Sequence, residues 1–298
     1  MKKLSFLLIV AMLIVPAYGC KNTDPAPAQR TGEAATIAGY EALELGGYDS
    51  LDGGAHASEY PLWSTEMLSY HQDATAPKEA VVTFQGQTYS GSYLYSAVKQ
   101  PNLFISHRYK GSNVYFELNG ETGQLTYIMF ARESLPQATI SESACRKIAD
   151  AIADDYIPLS EYQVSCLTQD YYENKLYSYT YYREVNGYRT SDQMTVVVDG
   201  NGTLLLVNMY MLGAFAAPQA MVYNKDLADA ALQTKLTAIY SGIPVQKNHE
   251  VNSVTLVRLE DGSCGFLYNV SSSFQQGDMI TGSRVDILVR PVMQVQTE

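Results

Sequence analysis

What this sequence lacks sets its first limits. Its 298 residues hold only 4 cysteines and 4 histidines, with no CxxC pair and no HExxH. A zinc site would therefore have to be assembled by the fold from scattered residues, so neither metal nor cofactor is expected. Cationic side chains are scarce: 20 Lys+Arg stand against 31 Asp+Glu, a net charge of −11. An acidic surface repels phosphate backbones, so nucleic acid is not an expected partner. Beyond residue 20 no run of 18 apolar residues occurs, and so no candidate membrane-spanning helix. No G-x-S-x-G elbow is present, and His107 and His249 stand in polar contexts. Nothing in the order of residues presents a nucleophile to a base, so an enzyme is not expected.

What is present begins at the N-terminus. Met1-Lys2-Lys3 precedes an apolar run from Leu4 to Val15, and Pro16-Ala17-Tyr18-Gly19-Cys20 follows. A basic start, a short apolar core and small residues before a cut are the features of a signal peptide. Ala17-Tyr18-Gly19-Cys20 resembles a bacterial lipobox, departing from it at Ala17, where Leu is usual, and at Tyr18, where a small residue is usual. Residues 1–20 are therefore expected to be a lipoprotein signal peptide. Cys20 then becomes the acylated (palmitate-bearing) first residue, anchoring the chain in the bilayer on the extracytoplasmic face of the cell membrane. The alternative is an ordinary cut near Gly19. Cleavage before Cys20 removes two of the 20 Lys+Arg and none of the 31 Asp+Glu, taking the net charge from −11 to −13. Residues 21–75 are expected to be a flexible tether. They include DPAPAQ and two Gly-Gly pairs, with few large apolar side chains to offset ordering entropy. The only Trp, Trp63, is expected to anchor the chain where it enters the fold.

From there the pattern turns to strands. A β-rich unit is expected over 76–135, with runs broken at Gly86 and Gly91 and a hairpin around Asn119-Gly120-Glu121-Thr122-Gly123. Ser141 is a good N-cap before ESACRKIADAIADDYI, where Cys145, Ile148, Ala149, Ile152 and Tyr156 recur at helical spacing. Strand-like runs follow: EYQVSCLTQ, KLYSYTYYREV, QMTVVVD and TLLLVNMYM. A second helix, KDLADAALQTKLTAIY, has Leu227, Ala230, Ala231, Leu236 and Ile239 favouring one side, and NSVTLVRL, CGFLYNV and SRVDILVR follow as strands. A helix and then three or four antiparallel strands, twice over, predicts an α+β fold: meander sheets each covered by a helix, with units at 136–213 and 214–298.

Two stretches carry a family resemblance. YSYTYYREVNGYRTSDQMTVVVDGNGTLLLVN is similar to a signature of basic aromatic strand, short turn, polar step and V-x-V-D-x-x-G. Its positions here are Tyr182, Arg183, Gly187, Asp192, Val196, Val198, Asp199 and Gly202. YFELNGETGQLTYI, with Thr122-Gly123-Gln124-Leu125, resembles the strand–turn–strand ending of the same units. The chain thus resembles PepSY-type domains and the related YcdB/YcdC repeats of bacterial surface proteins, best over about residues 113–209. The segment 225–290 is a poorer match. It lacks the Asn-Gly turn, and Asp261-Gly262 is its clearest echo. The resemblance implies an extracytoplasmic, non-catalytic module. Related propeptide domains chaperone or inhibit thermolysin-type proteases, but no functional residue transfers with the likeness.

Candidate chemistry is therefore a matter of single residues. Asp199-Gly200-Asn201-Gly202 suggests a calcium loop. However, the fifth, sixth and twelfth positions hold Thr203, Leu204 and Tyr210, so a tight turn explains the stretch better. Tyr177, Tyr179 and Tyr181 alternate on one strand face and either grip a peptide or glycan or pack inward beneath a helix, with Tyr171 and Tyr172 on the same surface. Arg183 and Arg189 flank Asn186-Gly187, with Glu184 and Asp192 near. Surface ion pairs are expected there, and Arg183 is the candidate to hold a carboxylate. Cys145 and Cys166 are either a disulfide or two buried thiols. The expected partners are the lipid bilayer, through acylated Cys20, and a peptide or envelope protein. A glycan-binding adhesive role is the alternative, and a cryptic hydrolase, needing a buried His beside a Ser or Cys, is the third.

Overall fold

A computed structural model describes residues 36–49, 70–99, 104–131, 138–171, 174–216, 223–241, 246–259, 262–276 and 279–294. The expected signal peptide at 1–20, with Cys20, and Trp63 and Tyr172 lie outside them. The elements are β1 (Thr36–Asp49), β2 (Tyr70–His71), β3 (Glu79–Phe84), β4 (Gln87–Lys99), β5 (Phe104–Lys110), β6 (Val114–Asn119), β7 (Leu125–Phe130) and α1 (Glu142–Asp154). After α1 comes a 3₁₀ turn, Leu159–Glu161, then β8 (Gln163–Tyr171), β9 (Asn174–Val185), β10 (Tyr188–Asp199) and β11 (Leu204–Tyr210). The chain continues through α2 (Lys225–Ile239), β12 (Gln246–Arg258), β13 (Cys264–Gln276) and β14 (Met279–Gln294).

The antiparallel neighbours expected within 163–210 and 246–294 are present. The expected α+β class is not. The described chain is mostly β, all its strands join one 14-stranded mixed sheet, and there are only two α-helices. The joint is β10, which pairs with β9 on both sides of an irregularity, with β11 from Gln193 to Val198 and, at Thr190, in parallel with β12 at Leu256. Between Arg189 and Gln193 its register slips, so residues 190–192 form a bulge. A bulge bends and twists a strand, and here the chain passes from one part of the sheet to the other. No local pattern announces a link between residues 66 positions apart.

Part of the expected tether is also structured. Residues 36–49 form β1, paired antiparallel along its length with β14. Its glycines made it resemble a linker, yet Gly39 and Gly46 stand where the register shifts, positions at which a strand tolerates glycine. Tyr40 and Ala42 pack into the second of two main cores.

The first core gathers Phe84, Tyr109, Phe116 and Ile128 from the early strands with Cys145, Ala149, Ile152 and Ala153 of α1 and Tyr179, Tyr181, Met194 and Val196. The second gathers Ala228, Leu232 and Leu236 of α2 with Phe266, Tyr268, Val270, Val285, Ile287 and Val289. Both helices have side-chain N-caps: Ser141 Oγ accepts from Ala144 N at 3.3 Å, and Asn224 Oδ1 from Leu227 N at 3.1 Å. The inward face expected for α1 is the observed one. That of α2 is rotated: Leu227 is 46% exposed, while Ala228 and Leu232 point inward.

The same polar latch holds each helix to the sheet. On α1, Arg146 pairs with Asp150 one turn on, Asp150 accepts from Tyr181 OH at 2.7 Å, and the guanidinium lies over Tyr179 and Tyr181. On α2, Lys225 pairs with Asp229, Asp229 accepts from Tyr268 OH at 2.8 Å, and the ammonium lies over Phe266 and Tyr268. The latch turns Asp229 toward the sheet, and its neighbour Ala228 into the core, which apolar periodicity alone did not show.

Candidate functional site

The most family-like stretch is a hairpin, β9–turn–β10. Asn186 and Gly187 both take positive φ, 51° and 80°, as a two-residue hairpin turn with matching twist requires. Strand alternation then divides its side chains between two faces.

On the inner face the expected Tyr strip is closed. Tyr177, Tyr179 and Tyr181 are buried at 5%, 1% and 1% exposure. Tyr179 OH donates to Glu142 O at 2.9 Å, and Tyr181 OH to Asp150 on the same helix. No ligand can lie on these rings, because α1 already does. Burial raises the Tyr179 and Tyr181 hydroxyls above the ordinary tyrosine range, and the Asp150 carboxylate raises Tyr181 further. Tyr171 lies on β8, a strand that pairs with β9.

Arg183 does hold a carboxylate, but an internal one. Asp192, in the β10 bulge, is fully buried. Its Oδ2 accepts from Arg183 Nε at 3.1 Å and from Phe215 N at 3.2 Å. Its Oδ1 accepts from Tyr162 OH at 2.5 Å and from Gly213 N at 3.0 Å. Arg183 also reaches Glu161 with Nη1 at 2.6 Å and lies over the Tyr162 ring. Four segments thus meet on one carboxylate: the 3₁₀ turn, β9, β10 and the bend after β11. The group is structural, since every lone pair of Asp192 used here faces a protein donor. Sequence reading named Arg183 and Asp192 but missed Tyr162, Gly213 and Phe215, which approach from distant loops.

The Asp199 turn is likewise internal. Asp199 Oδ1 accepts from Asn201 N at 2.9 Å and Thr203 N at 2.8 Å, and Cys145 Sγ donates to its carbonyl. Gly202, at φ 78°, has no room for a Cβ, which would lie 2.5 Å from Ile148 Cδ1. No group of three His, Cys, Asp or Glu able to hold a metal occurs among the described residues. Cys145 is buried on α1 and Cys166 exposed on β8, and both are free thiols, so neither alternative weighed for the pair holds for both. Burial pushes the Cys145 thiol up, away from the reactive thiolate.

Two histidines do sit beside serines. His107 Nδ1 meets Ser96 Oγ at 2.7 Å, and His249 Nδ1 meets Ser272 Oγ at 2.8 Å. Each is a directly opposed cross-strand pair. The serines are 0% and 2% exposed, so no acyl group can reach either oxygen. These are sheet contacts rather than catalytic dyads.

The outer face of the hairpin differs. Tyr182, Gln193 and Arg189 are half-buried there. Arg189 stacks on Tyr182, with the guanidinium carbon 4.6 Å from the ring centre, and its Nη2 donates to Gln193 Oε1 at 2.8 Å. The ion pair expected for Arg189 is not made with any described carboxylate, Glu184, its exposed cross-strand partner, included. Partial burial lowers the guanidinium pKa from its ordinary value.

Comparison with known proteins adds one family. Residues 63–207 match the YcdB, YcdC repeated domain, beginning earlier than the resemblance read from residue 113 and taking in the whole of the segment 76–135 expected as a separate β-rich unit. No curated protein matches the chain. Among solved structures, the Bacillus megaterium YpeB C-terminal domain is similar at 11% identity, covering 77% of this chain and 97% of that one, with a TM-score of 0.30.

Proposed function

We propose, from the match of residues 63–207 to the YcdB, YcdC repeated domain, that the chain is a non-catalytic binding or regulatory module of the bacterial envelope. In this reading acyl chains on Cys20 hold it to the outer face of the membrane, and the folded body engages a peptide or protein. The match to the repeated domain and the lipobox-like Ala17-Tyr18-Gly19-Cys20 support it. The carrying observation is the division of the hairpin's two faces. The inner one is spent on packing α1, whereas the outer one offers hydrogen-bonding side chains beside an arginine that pairs with no described carboxylate. A glycan-binding strip would need the Tyr177–Tyr181 rings in the open, and they are buried.

An array of extended peptides probed with the full-length chain tests the binding role. A reproducible subset should bind the native chain and not the heat-unfolded one. If the two profiles are the same, the module reading is lost. In parallel, Cys20→Ala should move the protein from the membrane fraction to the soluble one. Unchanged sedimentation with membranes would remove the lipid anchor.

A further inference from the structure

We propose that β8 is the strand through which two copies of this chain pair, antiparallel and about a two-fold axis at Leu167, so that their sheets run on as one. The proposal stands apart from the binding-module reading, since it needs no peptide partner.

A sheet edge presents a row of unpaired backbone N–H and C=O groups. Proteins guard such rows with short strands, charged side chains, proline or bulges. Among the described residues, β1, β2, β3 and β8 each pair with one strand alone. β1 carries Glu41 and Glu44 and two shifts of register. β2 has two residues, and β3 has six and opens on Glu79. β8 has none of these guards. It runs nine residues, in register with β9 from Gln163 to Tyr171 and without a bulge. It holds no proline, and its one charged residue is Asp170, next to its end. Ser165, Cys166, Leu167 and Thr168 at its centre are all exposed, Leu167 by 44%.

An open edge of this kind accepts an extended strand, and charge decides which one. The chain carries −11 overall, so its field draws basic segments. From Gln163 to Gln169, however, β8 offers no acid to meet a Lys or Arg. What fits is an uncharged strand of the same length, and every copy of the chain brings one. The neutral strip is also where two acidic bodies approach with least repulsion. In the register centred on Leu167 all nine residues find partners. Leu167 then faces Leu167, Cys166 faces Thr168, and Asp170 faces Val164 rather than a second acid. Two leucines now in water would cover each other. A two-fold pairing of this sort closes after two copies and does not propagate as a fibre.

Sedimentation velocity of the full-length chain in nonionic detergent, across a concentration series, is the test. A monomer–dimer equilibrium is expected. Leu167→Glu sets two carboxylates face to face and should raise the dimer dissociation constant about a hundredfold, as like-charge juxtaposition does. Leu167→Lys should do the same, and an equimolar mixture of the two variants should restore the dimer. Matching far-UV circular dichroism shows that each variant still folds. In the parent dimer the two Cys166 side chains lie on a cross-strand diagonal of ~7–8 Å. A bis-maleimide of that span should therefore join them, and Cys166→Ser should abolish the product. A parent that stays monomeric, a dimer that persists in both variants, or a mixture no more dimeric than its components would each overturn the proposal. A monomeric parent that binds array peptides would overturn it and leave the module reading intact. A dimer broken by Leu167→Glu, with the same peptide profile folded and unfolded, would uphold it and lose that reading instead.

Discussion

Two buried aspartates predict opposite outcomes for the same substitution. Asp192 takes four donors, one of them Arg183, in a site with no exposed surface. In Asp192→Asn, either orientation of the amide turns an NH₂ toward two of those donors and leaves Arg183 short of charge. Breaking a buried pair costs about 3–5 kcal/mol, so the urea midpoint should fall sharply with an unchanged slope. Asp286 is different: it accepts from Asn269 Nδ2 at 2.6 Å, and burial raises its pKa. Because the folded-state pKa is raised, the folded chain holds this proton at pH values where the unfolded chain has released it. Stability therefore declines as pH rises through that window and stays lower above it. Asp286→Asn keeps an acceptor for Asn269 and removes the charge. It should be more stable than the parent at neutral pH, with the gain fading as pH falls below the ordinary aspartate range. Urea melts at several pH values read both variants. A loss for Asp286→Asn at neutral pH would mean that the carboxylate makes an indispensable contact.

At the scale of elements, the two latches are the quantity to test. Tyr181→Phe and Tyr268→Phe each delete one hydroxyl bonded to an aspartate that a helix cation also holds. A hydrogen bond to a charged group contributes about 1.5–3 kcal/mol, and the two sites lie in different cores. The double variant should therefore lose the sum of the single losses, as distant sites do; chemical denaturation decides, and marked non-additivity would show that the cores unfold as coupled parts. Elements were also where the sequence was most legible. Helix α1, its Ser141 cap, the Asn186-Gly187 turn and strands β9–β11 follow from periodicity and turn chemistry confined to a few residues. The inward face of α2 was not legible, because Asp229 is set by a strand tyrosine 39 residues away. Nor was the fate of Tyr177, Tyr179 and Tyr181: alternation gives them one face, but only the position of α1 says which face is covered. Arg189 had no local signal, since an unpaired cation is defined by what three-dimensional proximity fails to bring.

At the scale of the whole molecule, the sheet depends on pairing the most distant described strands. β14 finds β1 across more than 200 residues, Leu288 standing opposite Leu43, and such contacts form late and slowly. Deleting residues 36–49 should leave β14 as an unguarded edge, a template for association with other copies. Light scattering on heating should show earlier aggregation, and hydrogen exchange should show lost protection in β14 with α1 largely spared. Equal exposure of both regions would mean that the sheet melts as one piece.

The β1–β14 pairing also decides how the body answers a pull. Thr36 stands opposite Gln294, at the outer ends of two antiparallel strands. A force drawing those residues apart peels the ladder from its end, loading one pair of backbone hydrogen bonds at a time, as a zipper opens. Strands pulled along their length would instead share the load across the ladder and resist together. The fold is therefore mechanically soft between residues 36 and 294, and β1 is the first strand that tension would strip away.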